Sequence, residues 1–331
     1  MRLSKEWLRA KAWWLVPLLV ALGVARVVAQ RAAVPATAEW QAAAEAVRGR
    51  LQPGDGVAWA PYWAGEGRLF LHGLPGFHLP DVEAADLSRY SRVWLMGAFG
   101  YDADDLPARH TLRSRERFGG VTLDLVEPGG ERVVGDLMAA LEQAQVERVG
   151  QGSERCDFWD GRGWHCTLGK SPDATRRCLG EPIEKRWRDR RRDPHCGLDP
   201  WLNVSRDVRV IGDFPRRCVW FHPMQGKTLR LTWPAAPAGD AVVLDHGFAD
   251  QMITDHTRKE TRTRPAKLTV RRGGVVIGEQ VVEPVKGWHR MRMPGGGAGP
   301  LVVEATTEAT VDAHLCIDLT VRADGGSDEP R

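Results

Sequence analysis

Hydrophobic positions along the chain follow a helical spacing first and a strand spacing later. Between residues 36 and 51, apolar side chains recur every three or four positions, as expected for an amphipathic helix that begins near Thr37. The turn residues Pro53-Gly54-Asp55 then end the helix. The apolar positions are Trp40, Ala43, Ala44, Val47 and Leu51.

Three short apolar runs after this helix predict strands, at residues 56–61, 92–97 and 121–126. The stretches between and after them have helix-compatible patterns, most clearly residues 104–118 and 133–146. Strands that alternate with helices are typical of a parallel sheet covered by helices. We therefore expect a small Rossmann-like parallel α/β domain over residues 36–149.

The second half of the chain has the pattern of an all-β domain. Between residues 205 and 323, nine short apolar or alternating runs are separated by glycine-rich turns, which predicts a β-sandwich of the jelly-roll type. The predicted strands are 208–211, 218–222, 228–233, 241–245, 266–271, 275–282, 289–293, 301–306 and 314–321. The predicted fold class is thus α/β plus all-β. A cysteine-rich connector over residues 150–204 joins the domains, and the polar tail 324–331 is expected to be disordered.

The N-terminus has the pattern of an export signal. Arg2, Lys5, Arg9 and Lys11 precede an apolar run over residues 12–25. Residues 1–30 are either a signal peptide cleaved before Gln30 or an uncleaved signal anchor, a single transmembrane helix that makes the membrane a partner. Both alternatives place the remaining chain outside the cytoplasm. It is then periplasmic, either free or tethered to the inner membrane.

Charge gives no argument for a nucleic-acid partner. The chain has 331 residues and a formal charge of +3, but residues 1–29 carry five basic side chains and one acidic side chain. The remainder therefore carries a formal charge of −1, and the exported part is nearly neutral.

The six cysteines fit an exported chain, in which an even number indicates disulfides. Six cysteines allow about 15 pairings. We expect the pairs Cys156–Cys166, Cys178–Cys196 and Cys218–Cys316. The alternative is a metal site that uses the nearby histidines. Structural zinc sites usually contain closely spaced Cys-x(2–4)-Cys pairs, which the sequence lacks, so we expect no metal.

Two stretches resemble known families. Residues 40–62 contain Leu-Gln-Pro-Gly-Asp, and residues 92–127 contain Arg-Val-Trp-Leu-Met followed by Arg-Phe-Gly-Gly-Val-Thr-Leu. Over residues 36–130 the chain resembles the soluble extracytoplasmic region of bacterial protein-mannosyltransferase-like membrane glycosyltransferases. Those enzymes carry their catalytic acids on loops between many membrane helices. The resemblance therefore implies a glycosyltransferase-associated envelope module without a transferase site.

The second resemblance lies in residues 265–294, where a Val-Arg-Arg-Gly-Gly hairpin is followed by Gly287-Trp288 before another strand. Over residues 205–323 this is similar to galactose-binding-like β-sandwich modules. The resemblance implies a sandwich fold and a carbohydrate ligand, although one fold serves many functions.

The sequence contains no Gly-x-Ser-x-Gly, His-Glu-x-x-His, Walker or Gly-x-Gly-x-x-Gly motif, so we expect no cofactor and assign no catalytic residue. Asp102, Asp104 and Asp105 form an acidic cluster that is typical of a polar loop before a helix. The basic run 185–192 is either a phosphate- or lipid-binding patch or a solvated surface that Asp189 and Asp193 neutralise.

Two groups of residues are candidate ligand contacts. The tryptophans of the connector, Trp159 and Trp164, offer aromatic faces that can stack on sugar rings. A second group lies in a predicted sandwich loop, where oxygen and imidazole ligands can bind calcium or pair a base with an acid. Its members are Asp245, His246, Asp250, Asp255 and His256.

Two functions follow from these patterns. The favoured hypothesis is a non-enzymatic, exported or membrane-anchored bacterial cell-envelope protein that binds an envelope glycan or an envelope protein. The alternative is a carbohydrate-active envelope enzyme that uses the aspartate and histidine cluster around Asp245.

Overall fold

The chain divides into two compact units, residues 1–130 and residues 131–331. A computed structural model gives the structure of eleven segments of the chain. The described residues are 15–32, 34–61, 64, 69–74, 76–78, 86–106, 109–150, 153–167, 198–253, 263–308 and 313–324.

The first helix, α1 (Leu15–Ala32), contains the end of the predicted export signal. Its large apolar side chains between residues 16 and 28 are exposed. The expected transmembrane helix is not supported, because no helix of the described chain is long and apolar enough to cross a membrane.

The first unit contains α2 (Thr37–Arg50) and a five-stranded mixed sheet. The helix forms where the apolar spacing predicts it, and Trp40, Ala43 and Val47 bury its inner face against the sheet. The strands run in the order β2-β1-β3-β5-β4, with β1 parallel to β2 and β3 and the other pairs antiparallel. They are β1 (Asp55–Ala60), β2 (Gly76–His78), β3 (Arg92–Ala98), β4 (His110–Phe118) and β5 (Val121–Pro128).

The expected Rossmann-like parallel domain is wrong. Residues 104–118, which have a helix-compatible pattern, instead form a short 3₁₀ turn (Ala103–Asp105) followed by strand β4. The Gly119-Gly120 turn, with Gly119 at a positive φ of 59°, folds β4 back onto β5 as an antiparallel hairpin. A hairpin takes the place of a crossover helix here, and the described part of the chain is mostly β.

The second unit is a β-sandwich of two antiparallel sheets. The front sheet has the order β17-β14-β19-β12-β11-β10-β9, with β6 paired to β19, and the back sheet has the order β16-β15-β18-β13-β7-β8. The strands are β6 (Arg132–Asp136), β7 (Gln145–Gly150), β8 (Glu154–Cys156), β9 (Phe158–Trp159), β10 (Gly163–Thr167), β11 (Leu198–Ile211), β12 (Phe214–Phe221), β13 (Lys227–Ala236), β14 (Gly239–Phe248), β15 (Ala266–Arg272), β16 (Val275–Val282), β17 (His289–Gly296), β18 (Gly299–Thr307) and β19 (Leu315–Ala323).

One apolar core lies between these two sheets. Phe221 and Leu244 of the front sheet and Leu231 of the back sheet are fully buried in it, as alternation along each strand requires. The strands predicted within residues 205–323 are therefore confirmed, with ends shifted by up to about ten residues at β11 and by fewer elsewhere.

The helix expected at residues 133–146 is wrong. This segment contains β6, a set of turns with a 3₁₀ helix (Leu141–Gln143), and the start of β7. β6 pairs with β19 and β7 pairs with β13. These long-range strand pairings override the helical spacing of apolar residues, which is a preference of the segment alone. At Gly135 in β6 the backbone packs closely against Pro237, since a Cβ there would lie 2.6 Å from Cγ of Pro237.

Two of the three expected disulfides are confirmed, Cys156–Cys166 and Cys218–Cys316. The first joins β8 of the back sheet to β10 of the front sheet. The second joins the neighbouring front-sheet strands β12 and β19 across 98 residues of sequence. The pair Cys178–Cys196 lies outside the described residues and stays a prediction.

Four connections between the two sheets meet at one end of the sandwich, which we call the crossover end. They follow β12, β14, β16 and β18, and their described residues are 222–226, 249–253, 263–265, 283–288, 308, 313 and 314. His246 and His289 lie near the ends of β14 and β17 at this end of the sandwich. His222 directly follows β12, and His314 directly precedes β19. Among the residues with described positions, four histidines therefore lie at the crossover end.

Candidate functional site

The predicted tryptophan contacts form a cross-strand pair at the edge of the front sheet. Trp159 of β9 lies opposite Trp164 of β10, with ring centres 5.3 Å apart and planes at 52°. The Trp164 indole donates to the carbonyl of Leu141 at 2.8 Å, and the Arg206 guanidinium lies 5.4 Å from the Trp159 ring. Both rings are half-buried and pack against the core, so neighbours inside the protein already use much of their contact area.

A polar pair stabilises the turn between these tryptophans. His165 Nε2 lies 2.8 Å from Asp160 Oδ2, and the same carboxylate accepts from the backbone N–H groups of Arg162 and Gly163. Burial opposes ionisation of Asp160, but the His165 contact and the two backbone donors outweigh it and lower the pKa. Asp160 is a turn-stabilising carboxylate.

The predicted aspartate and histidine cluster does not converge in the described part of the sandwich. Asp245 and His246 are consecutive in β14, so their side chains lie on opposite faces of the front sheet. Asp245, on the outer face, accepts two hydrogen bonds from Arg290, at 2.7 and 2.9 Å. His246 lies on the inner face with the core residues Leu244 and Phe248. Asp255 and His256 lie outside the described residues.

Asp250 has a positioning role. Its carboxylate accepts the backbone N–H groups of Gly212 at 2.8 Å and Asp213 at 2.7 Å, which form the two-residue turn of the β11–β12 hairpin. Both turn residues have positive φ, 63° and 68°, as a type I′ hairpin turn requires. A Cβ on Gly247 would lie 2.7 Å from Cγ2 of Ile211. The hairpin tip therefore lies directly on the outer side of β14.

The hairpin carries a partly exposed surface that the sequence patterns did not reveal. The Arg216 guanidinium lies 5.7 Å from the ring centre of Phe214 and 5.8 Å from that of Trp288. Phe214 is 38% exposed and Trp288 is half-buried. Beside them, Lys286 Nζ lies 2.8 Å from Asp213 Oδ1. We call these five residues the aromatic surface.

A buried basic cluster lies next to the Cys218–Cys316 disulfide. The rings of His222 and His314 lie 4.1 Å apart in an edge-to-face arrangement, and His222 lies 4.5 Å from Trp220. The Arg209 guanidinium covers the Trp220 ring at 4.4 Å. Burial, together with the positive charges of His314, Arg148 and Arg209, lowers the pKa of His222 to about 2. His222 is therefore neutral at physiological pH.

A second histidine pair lies on the inner face of the front sheet, where β14 and β17 reach the crossover end. His246 and His289 are directly opposite in register, with ring centres 5.9 Å apart. His246 Nε2 lies 3.0 Å from Oε1 of Gln280 in β16 of the back sheet. Burial lowers the pKa of His246, the contact with Gln280 opposes this, and the neighbouring His289 adds to the lowering.

One member of the acidic cluster, Asp102, pairs with an arginine that also binds a buried carboxylate. Asp124, which is fully buried, accepts two hydrogen bonds from Arg115 at 2.7 Å and one from the Ala103 backbone at 2.9 Å. Arg115 also pairs with Asp102 at 3.2 Å. The basic run 185–192 lies outside the described residues. Among the residues with described positions, no group of three or more histidine, cysteine or carboxylate side chains converges on a metal position.

Comparison with known proteins returns distant structural likenesses. No family model matches the chain, and no curated protein matches it. A structure of a CBM51 module with GlcNAc and INT domains from Clostridium perfringens ZmpB matches at a TM-score of 0.29 and 9% identity, covering 36% of this chain and 26% of that one. The chain thus spans about a quarter of that structure's length.

Two further likenesses have similar strength. The tandem CBM51 modules of a family 98 glycoside hydrolase from Streptococcus pneumoniae SP3-BS71 match at a TM-score of 0.28 and 8% identity, covering 62% of this chain and 56% of that one. A carbohydrate-binding module CBM36 in complex with calcium and xylotriose matches at 0.21 and 9%, covering 36% and 93%. At such TM-scores the likenesses transfer neither fold nor ligand. The resemblance of residues 36–130 to mannosyltransferase-like enzymes finds no support.

Proposed function

We propose that this chain is a non-enzymatic glycan-binding module and that the aromatic surface is its binding site. The observation that carries the proposal is the grouping of Phe214, Arg216 and Trp288 on one partly exposed patch, with the Lys286–Asp213 pair at its margin.

The chemistry of the patch matches that of a sugar. A pyranose ring has a face of C–H groups that packs on an aromatic ring and a rim of hydroxyls that both donate and accept hydrogen bonds. Phe214 supplies a ring that is 38% exposed, and the ammonium group of Lys286 supplies donors. The carboxylate of Asp213 supplies acceptors. Covering the Lys286–Asp213 ion pair with an apolar protein face would remove water from both charges at a cost in free energy, so the patch favours a hydroxyl-rich ligand.

The arrangement of the sandwich favours binding without catalysis. Acid–base chemistry needs a base and an acid that can both reach one bound substrate within hydrogen-bond distance. Asp245 and His246 lie on opposite faces of β14, and Arg290 holds Asp245 in a two-bond ion pair. These two residues therefore do not supply the acid–base pair of the enzyme alternative.

The disulfides support a location outside the cytoplasm. Cys156–Cys166 and Cys218–Cys316 require an oxidising compartment to form and persist. We propose that the module is exported and meets its glycan on or near a cell surface.

The test is a glycan-array screen of the full chain, followed by affinity measurement for the best ligand. Phe214→Ala is expected to weaken binding about tenfold, because truncating an aromatic contact at a binding site costs on the order of 1.4 kcal/mol or more. Val208→Ala is the matched control, since Val208 lies on the opposite face of the same hairpin and is 56% exposed.

Two results would contradict the proposal. One is the absence of any glycan ligand on the array. The other is equal binding by the Phe214→Ala and Val208→Ala variants. Loss of binding in Trp159→Ala alone would move the site to the tryptophan pair at the sheet edge.

A further inference from the structure

The histidine pair on the inner face of the front sheet has a geometry that ring packing does not explain. His246 and His289 are directly opposite residues of β14 and β17. Their ring centres lie 5.9 Å apart, with planes at 35°. Two imidazoles that bind one tetrahedral ion, with each nitrogen about 2.0–2.1 Å from the metal, place their ring centres roughly 5–6 Å apart. The observed separation falls in this range.

Each ring has a buried nitrogen that no described residue contacts by a hydrogen bond. His246 Nδ1 and His289 Nε2 are inaccessible to solvent, and neither makes a hydrogen bond to any residue that the structure describes. Buried ring nitrogens normally have a hydrogen-bond partner, and those that do not indicate a bound water or ion. His246 itself is 1% exposed. The pair therefore combines two unused nitrogens with a separation suited to one shared ion.

Gln280 determines which nitrogen of His246 is available. Its Oε1 lies 3.0 Å from His246 Nε2, and an amide oxygen is only an acceptor, so Nε2 carries the proton and donates it. The lone pair of the neutral ring is then on Nδ1, the nitrogen without a partner. Metal-binding histidines are typically held in this way, with the second nitrogen donating to an oxygen outside the coordination shell.

Glycine leaves space beside the other buried nitrogen. A Cβ on Gly287 would lie 3.0 Å from His289 Nε2, and Gly287 has a φ of 139°, which favours glycine. By contrast, the His222–His314 rings are 4.1 Å apart and edge-to-face, which is the geometry of packed rings.

We propose that His246 and His289 bind a divalent transition-metal ion of the zinc class, through His246 Nδ1 and His289 Nε2. Imidazole nitrogen is a preferred ligand for such ions, whereas calcium and magnesium prefer oxygen. With two protein ligands, the ion keeps positions for water or for an oxygen atom of a ligand. The site uses none of the five residues of the aromatic surface as ligands, and it does not depend on the proposed glycan function.

The test is calorimetric titration of the metal-free full chain with zinc chloride, with cobalt(II) absorption as a spectroscopic reading of the ligand set. Wild-type protein is expected to bind a single zinc ion, and His246→Gln and His289→Gln are each expected to weaken this binding at least about tenfold. Gln280→Leu, which removes the oxygen that orients His246, is expected to weaken it roughly tenfold.

Two controls separate this site from surface histidines and from glycan binding. His72→Gln removes an exposed histidine of the first unit and is expected to leave zinc affinity unchanged. Phe214→Ala is expected to leave it unchanged as well. Circular dichroism of each variant confirms folding, and the half-buried His289 makes His289→Gln the mildest change. Equal zinc affinity in wild type and both histidine variants, or no saturable binding at millimolar zinc, would overturn the proposal.

Discussion

Acid should destabilise the sandwich through His222, and the size of the effect follows from its surroundings. Burial and three nearby basic groups lower the pKa of His222 to about 2, against 6.5 for an ordinary histidine. The folded protein therefore keeps this ring neutral at mildly acid pH. The unfolded chain takes up a proton there as the pH falls through about 6.5, which favours unfolding.

The magnitude follows from linkage at a single site. Stability is unaffected well above the unfolded pKa and declines by up to about 1.4 kcal/mol per pH unit below it, until the folded pKa is reached. Between about pH 7 and about pH 5, His222 alone accounts for a loss of roughly 2 kcal/mol. The substitution His222→Gln removes the titrating group and with it this part of the loss.

Urea unfolding of the full chain at both pH values, followed by tryptophan fluorescence, measures the effect. The wild-type protein should lose roughly 2 kcal/mol more than His222→Gln over this interval, and a His72→Gln variant should behave as wild type. Buried His246 titrates in both proteins and cancels in the comparison. An identical pH dependence of wild type and His222→Gln would refute the reasoning.

Three further predictions concern stability, each measured by equilibrium urea unfolding. Arg115→Ala should lower the free energy of unfolding by about 2–3 kcal/mol, because it leaves the buried Asp124 carboxylate with one donor. Arg113→Ala on the same strand removes an exposed ion pair and should lower it by less than about 0.5 kcal/mol. Equal losses in the two variants would contradict this. Gly247→Ala should lower the free energy of unfolding by about 1–3 kcal/mol, because its Cβ would lie 2.5 Å from the Gly287 carbonyl oxygen and 2.7 Å from Cγ2 of Ile211 in the hairpin. An unchanged midpoint would show that neither of these groups packs on Gly247. Replacing Cys218 and Cys316 together by alanine should lower the free energy of unfolding by on the order of 4 kcal/mol, since the disulfide restrains a loop of 98 residues in the unfolded chain. A loss below about 1 kcal/mol would show that the disulfide does not stabilise the protein in this way.

Local pattern was sufficient for much of the fold. The spacing of apolar residues alone predicts the helix Thr37–Arg50 and the strands of the second half, because one face of each element is buried against a core. The prediction of a helix over residues 133–146 was wrong because the same spacing of apolar residues is compatible with two strands joined by a turn. The strands form because β19 and β13 are available to pair with them. Whether such strands are available is a property of the whole chain, which no local window contains.

The site was harder to predict for two different reasons. That Asp245 and His246 diverge follows from strand alternation and was available in the sequence once β14 was assigned. The sequence could not predict which residues lie beside Phe214 and His289. The neighbours of Phe214 depend on how the β11–β12 hairpin folds over the front sheet, and those of His289 depend on the register between β14 and β17. Contacts of this kind join residues distant in sequence, and only the folded chain specifies them.

The two lateral edges of the sandwich differ in how they are closed. At one edge the Cys156–Cys166 bond joins β8 of the back sheet to β10 of the front sheet, so the two layers are covalently linked there. At the other edge β16 and β17 meet without such a bond, and the hydrogen bond between His246 and Gln280 links the sheets nearby. Transient opening of the layers should therefore pivot about the disulfide edge. Backbone amides of β16 and β17 should then exchange with deuterium before those of β8 and β10, and small solutes should enter from that side.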